Sequence, residues 1–136
     1  MATFLDTTAL VDSTKPNAPR HEWCVAALDE ARQSGAIIIS DIVYSEFSAG
    51  MPSKDATDAV VAELALERLR FTDEALFRAG QAYKQYRQQH GGQKTNVLSD
   101  FLVGAQAEVS GAPLLTANPR DYVNYFPGLM IIQPEA

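Results

Sequence analysis

The sequence has a single cysteine, Cys24, so it can form no internal disulfide and offers no cysteine pair to a structural zinc site. This agrees with a reducing compartment, and a partly buried helical position is the expectation for that residue. Long apolar runs are missing too. Stretches such as Ala36–Ile39 and Leu129–Ile132 fall far short of the ~18 residues a membrane span needs, and residues 1–20 lack a basic start with a long apolar run behind it. No membrane association is expected, which leaves the cytoplasm. Positive charge is scarce: 11 Lys and Arg stand against 17 Asp and Glu, a net charge of −6. General affinity for nucleic acid relies on cations neutralising phosphates, so any nucleic-acid contact has to be local. The acidic excess instead suits a protein that concentrates carboxylates in one site and has a basic partner.

What is present is a globular composition, with 46% hydrophobic and 21% charged residues in 136. No repeat or long linker divides it, and residues 1–136 are read as one domain. Short β-rich apolar runs alternate with helical patterns. Strands are expected at Thr3-Phe4-Leu5, Ala36–Ile39, Leu69-Arg70-Phe71, Leu114-Leu115-Thr116 and Met130-Ile131-Ile132. Residues 20–33 place Trp23, Ala26, Ala27 and Ala31 at helical spacing, and Asp55–Leu66 does the same with Ala59, Val60 and Leu64. A longer helix should start near Thr72 and run towards His90 before Gly91-Gly92, and another should span Leu98–Ser110. Such alternation predicts an α/β fold with a parallel sheet of about five strands covered on both faces, and ligands then sit beyond the carboxyl ends of the strands.

Four acids map to that edge. Asp6 ends the first strand. Ser40-Asp41 caps a short helix that carries Glu46 less than two turns on. Asp100 lies in the first turn of a helix descending from the edge, and Asp121 follows the fourth strand in Thr116-Ala117-Asn118-Pro119-Arg120-Asp121. Each acid has an ordinary alternative: Asp6 with Thr7 and Thr8 can cap a helix, Asp100 can be a favourable first-turn acid, Asp121 can pair with Arg120, and Glu46 can sit on a solvated face. Gathered together they would repel and shift their pKa values upward unless a cation compensated, and oxygen-only ligands favour a hard divalent ion, Mg²⁺ or Mn²⁺. Neither His21 nor His90 falls among these positions, which argues against zinc or iron.

The segments Phe4-Leu5-Asp6-Thr7-Thr8-Ala9-Leu10, Ser45-Glu46-Phe47, Leu98–Ala105 and Leu114–Tyr122 together resemble the PIN domain, more narrowly the VapC toxins of bacterial toxin–antitoxin pairs, over nearly the whole chain. The resemblance implies a three-layer α/β/α sandwich with strand order 3-2-1-4-5, a homodimer, and a metal-dependent endoribonuclease restrained by an antitoxin. It implies catalytic, metal-binding roles for Asp6, Glu46, Asp100 and Asp121. Asp6 and Asp100 would be direct ligands, Glu46 direct or through water, and Asp121 through water or at a second site. Thr7, Thr116 and Asn118 match the polar positions around the acids. Thr8, Ser99 and Gln106 depart from the family's frequent asparagine, proline and histidine, which bears on substrate choice and efficiency.

The resemblance further implies products with a 5′-phosphate and a 3′-hydroxyl from an RNA such as tRNA or rRNA. Arg120 is the nearest candidate for a phosphate contact, and Lys84, Arg87, His90 and Lys94 form the densest basic stretch, with Tyr83 and Tyr86 able to stack a base. A solvated helix face is the plainer account of that stretch. An antitoxin segment carrying arginine could neutralise the acidic cleft. Two rivals stand beside this reading. A phosphatase of the haloacid-dehalogenase type needs a second aspartate where Thr8 stands. A non-catalytic acidic module would use the carboxylates to recruit a basic protein.

Overall fold

A computed structural model describes residues 1–90 and 97–134. Every residue of β1 (Thr3–Leu5), β2 (Ile37–Ser40) and β4 (Leu114–Leu115) is buried. These central strands are apolar at nearly every position, because a parallel sheet covered on both faces has no solvent side to mark by alternation. The edges are β3 (Leu66–Leu69), where only Leu66 is buried, and β5 (Ile131–Ile132). All neighbours are parallel in the order β3-β2-β1-β4-β5, with Thr3 opposite Ile37 and Phe4 opposite Leu114.

Helices α1 (Thr7–Thr14) and α2 (His21–Ser34) join β1 to β2, and α3 (Asp41–Ser48) and α4 (Lys54–Glu63) join β2 to β3. Helices α5 (Asp73–His90) and α6 (Val97–Ser110) lead to β4, and α7 (Arg120–Tyr125) leads to β5. The first two crossovers move along the sheet one way and the last two the other. Right-handed connections therefore put α1–α4 on one face and α5–α7 on the opposite face, the three-layer arrangement expected. Contacts of α1 with α2 and α3, and of α5, α6 and α7 with one another, follow this division. Helices α5 and α6 run antiparallel: Arg78 near the start of α5 pairs with Glu108 near the end of α6, while Tyr86 near the end of α5 packs edge-on against Phe101. The C-terminal end of α5 thus comes to the end of α6 that carries Asp100.

Several boundaries differ from the sequence reading. The third strand lies at Leu66–Leu69 and not at Leu69-Arg70-Phe71, because the helix expected to reach Leu66 stops at Glu63. Ala65 makes the turn with φ 51°, a left-handed conformation usually given to glycine or asparagine, so no local signal marked it. On α2 the buried positions are Cys24, Leu28 and Ala31, with Ala26 exposed, and on α4 Thr57 is buried and Ala59 is not. Cys24 is fully buried, and burial, reinforced by the charges of Asp12 and Asp6, pushes its thiol up to about 11, so it is an inert core group. Helix α7 was not foreseen: its N-cap position, Pro119, makes no side-chain cap. The expected Gly91-Gly92 stop lies outside the described residues.

Candidate active site

Asp6 leaves β1 in an extended conformation and becomes the N-cap of α1, its Oδ1 accepting from Ala9 N at 2.9 Å and from Thr8 Oγ1 at 3.1 Å. Its Oδ2 accepts from Thr116 Oγ1 at 2.5 Å and from the Tyr122 hydroxyl at 3.3 Å. The capping role once weighed against a site role is therefore compatible with it: one oxygen caps, while the other faces β4 and α7. Burial raises the Asp6 pKa, and the bonds from Thr116, Ala9, Thr8 and Tyr122 pull it back down.

Ser40 ends β2 and caps α3 through Val43 N, which fixes the start of the helix that carries Glu46. Glu46 is exposed, and its Oε1 accepts from Thr7 Oγ1 at 2.6 Å. Asp100, in the first turn of α6, is partly buried and accepts from the Tyr122 hydroxyl at 3.4 Å. Its carboxyl is pushed up to about 6, by burial first and then by the charges of Asp6, Glu46 and Asp121. Asp6 and Asp100 meet at the Tyr122 hydroxyl, Thr7 ties Glu46 to the residue after Asp6, and Asp121 immediately precedes Tyr122, so the four acids stand within electrostatic reach of one another. Asp121, in the first turn of α7, makes an ion pair with Arg120 Nε at 3.7 Å, the plainer alternative considered for both residues.

The oxygen-only donor set and its mutual repulsion fit a hard divalent cation better than zinc or iron. Among the described residues, however, no group of three ligating side chains is arranged closely enough to hold a metal ion. The carboxylates would have to draw together to bind one. His21 Nδ1 contacts Asp12 O at 2.9 Å and His90 Nε2 contacts the Tyr125 hydroxyl at 3.2 Å, so both histidines are engaged elsewhere.

Supporting groups behave unequally. Thr7 and Thr116 hydrogen-bond acids as expected. Asn118 is exposed and enters the network through its backbone N–H, which donates to Thr116 Oγ1 at 3.0 Å. Gln106 is buried two turns below Asp100 and donates from Nε2 to Leu69 O and Arg70 O, bracing the exit of β3. Lys84 and Arg87 are exposed near the C-terminal end of α5, with the Arg87 guanidinium 5.8 Å from the Tyr83 ring. Tyr86 cannot stack a base: it is buried against Phe101, Tyr125 and His90. Lys94 lies outside the described residues.

Sequence reasoning missed Tyr122 as a site residue. It is 1% exposed, and burial followed by the charges of Asp6 and Asp100 raises its pKa well above the ordinary phenol value. The available signal was chemical: a tyrosine immediately after a site aspartate needs a partner for its hydroxyl once its ring is buried.

A parallel sheet in the order 3-2-1-4-5, with acids at the N-cap of α1 and on α3, α6 and α7 within electrostatic reach of one another, defines a small α/β domain with an acidic region at one edge. The chain belongs to the PIN domain family, whose model matches residues 3–125. Among solved structures it is similar to a chain of VapBC2 from Rickettsia felis, bound to a DNA fragment from their promoter (22% identity, TM-score 0.74, 98% of each chain covered). It is also similar to DNA-bound VapBC from Salmonella typhimurium (20%, 0.68, 98% of each chain). A third likeness is to Mycobacterium tuberculosis VapC20, a Sarcin-Ricin loop cleaving toxin (16%, 0.62, 97% of this chain and 99% of that one). At these identities the likeness is one of fold. No curated protein matches the chain.

Proposed function

We propose that this PIN domain is a metal-dependent endoribonuclease and the toxin of a toxin–antitoxin pair. The observation that carries the reading is that Asp6 and Asp100 face one hydroxyl, that of Tyr122, in a PIN domain, with burial and the charges of Asp6, Glu46 and Asp121 pushing the Asp100 carboxyl up. A partly buried cluster with so little internal compensation is a liability in a purely structural role and an asset in a cation-binding one. Asp6 and Asp100 would hold Mg²⁺ or Mn²⁺ directly, Glu46 directly or through water, and Asp121 through water or at a second position. A bound divalent ion would supply an acidified water and charge stabilisation at the phosphodiester.

The chain's own residues set the stage for that chemistry. Thr116, Thr8 and Ala9 N hold Asp6 in place, and Thr7 holds Glu46. Arg120, 77% exposed and only loosely paired, is free to turn to a phosphate. Lys84 and Arg87 would extend that contact along the strand. The description of VapC20 as cleaving the Sarcin-Ricin loop makes structured ribosomal RNA a reasonable substrate class, with transfer RNA beside it. The neighbouring VapBC structures support a cognate antitoxin; an arginine-bearing segment of it would pair with these carboxylates. A homodimer in the cytoplasm completes the reading.

The test is incubation of the purified, antitoxin-free protein with structured RNAs in Mg²⁺, in Mn²⁺ and in EDTA, beside Asp100→Asn. Cleavage should require the ion and fall by at least about a hundredfold in the variant, since losing a ligand exceeds the loss of an outer-shell partner. Cleavage that persists in EDTA, or is untouched by Asp100→Asn, would rule the mechanism out. Binding of a basic partner by folded, metal-loaded protein that cuts none of these RNAs would favour the acidic module.

A further inference from the structure

We propose that Tyr122 is a positioning residue for the carboxylate site: its buried hydroxyl, within hydrogen-bond reach of both Asp6 and Asp100, keeps the acid on α6 turned toward the acid that caps α1, so that a divalent cation has only to draw the two carboxylates together. This inference rests on the cation-binding reading of the site. A phenol has one proton, and here two carboxylates claim it, at 3.3 Å and 3.4 Å. Both distances exceed the ~2.7–2.8 Å usual for O–H···O bonds, so each contact is long and the single proton is within reach of either carboxylate.

The two acids depend on it unequally. Asp6 also accepts from Ala9 N, Thr8 and Thr116, the last at 2.5 Å, and is held whether or not Tyr122 contributes. For Asp100, Tyr122 is the one hydrogen-bond donor found among the described residues. Without it Asp100 would lose that donor while the repulsion of three like-charged neighbours remained. A cation would then have to reorder Asp100 as it bound, and affinity would fall.

The ring is set in place independently of the acids. Gly104, one turn after Asp100 on α6, leaves a notch: a Cβ there would lie 3.0 Å from Tyr122 Cδ1 and 2.9 Å from Phe126 Cε2. The absent side chain lets α7 close on α6 until the Tyr122 hydroxyl reaches both carboxylates. A rigid ring with two rotatable bonds, fully buried, is a better spacer than a flexible donor would be.

The experiment is calorimetric titration of the protein with Mn²⁺, comparing wild type, Tyr122→Phe and Tyr125→Phe. Tyr122→Phe keeps the ring and should weaken Mn²⁺ binding about tenfold, with the near-ultraviolet circular dichroism of the fold retained. Tyr125→Phe removes another buried hydroxyl, one bonded to Gln89 and His90 and not to the acids, and should leave Mn²⁺ affinity as in wild type. Wild-type protein that takes up no Mn²⁺ would overturn the reading of the site and this inference with it. Wild type that binds Mn²⁺ while Tyr122→Phe stays within about twofold of it, or binds more tightly, would overturn the role of Tyr122 alone. Equal weakening by Tyr125→Phe would assign the effect to packing and overturn it as well.

Discussion

Helix α6 carries one partly buried acid near each end, and the fold treats them in opposite ways. Glu108, near the C-terminal end, accepts from Arg78 Nε at 2.7 Å and from Gly128 N at 3.2 Å. Arg78 in turn donates to Tyr125 O at 3.0 Å and lies 4.7 Å over the Phe126 ring. Asp100, in the first turn, has the Tyr122 hydroxyl and three neighbouring acids. The helix dipole alone would predict the reverse comfort, since acids are favoured at the N-terminus and disfavoured at the C-terminus. Sequence-local electrostatics therefore does not decide which end is stable. One end holds a completed ion pair that ties α5, α6 and the approach to β5 together, and the other gathers four acids of which, among the described residues, only Asp121 has an ion-pair partner.

The largest effect on this contrast should come from Arg78→Ala. It strips Glu108 of its cation and removes the contact with Phe126, and should lower unfolding stability by about 3 kcal/mol in denaturant titration. A loss below about 1 kcal/mol would mean that the pair behaves like an exposed surface bridge and that the two ends of α6 differ less than their geometry suggests. Next comes Gly104→Ala, between the two ends. The added methyl meets Tyr122 and Phe126, and overpacking should outweigh the gain in helix propensity, for a net loss of about 2 kcal/mol. A neutral or stabilising result would show that α7 can shift to make room.

Much of this was legible in the sequence, for reasons that also explain the failures. Central strands such as Ile37–Ser40 announce themselves by unbroken burial, and Asp6 and Ser40 lie at strand-to-helix junctions where capping residues are chemically distinctive. Alternating strands and helices then bring residues distant in sequence to one edge, which is why the four acids could be proposed as neighbours. The edge strand β3 was misplaced because only Leu66 of its four residues is buried and Ala65 turns without a turn residue. Tyr86 was taken for a surface group within a basic stretch, although it falls on the buried stripe of α5 with Ala75, Ala79 and Ala82. Tyr122 was passed over because its role depends on helix α7 packing onto α6, a tertiary contact that no spacing rule reports.

The smallest expected effect is the most discriminating, because one chemical change on one helix should have two signs. Asp100 has a folded-state pKa of about 6 against an ordinary value of 3.8. The folded protein thus holds this proton more tightly than the unfolded chain does. The stabilisation is complete below about pH 4 and is lost as pH rises through about 6. The shift corresponds to about 3 kcal/mol in full, and solvent screening at a partly exposed carboxyl reduces it to about 1 kcal/mol. In cation-free buffer Asp100→Asn should therefore be more stable than wild type by about 1 kcal/mol at pH 7.5 and indistinguishable from it near pH 4. Glu108→Gln should be less stable than wild type at pH 7.5, because its charge-assisted bond to Arg78 is weakened. Mg²⁺ should then raise the melting temperature of wild type and leave Asp100→Asn nearly unmoved, since only the former keeps the acid set intact. If Asp100→Asn instead destabilises the protein at pH 7.5 without the ion, the Asp100 charge is already satisfied within the fold. The contrast between the two ends of α6 would then have no bearing on cation binding.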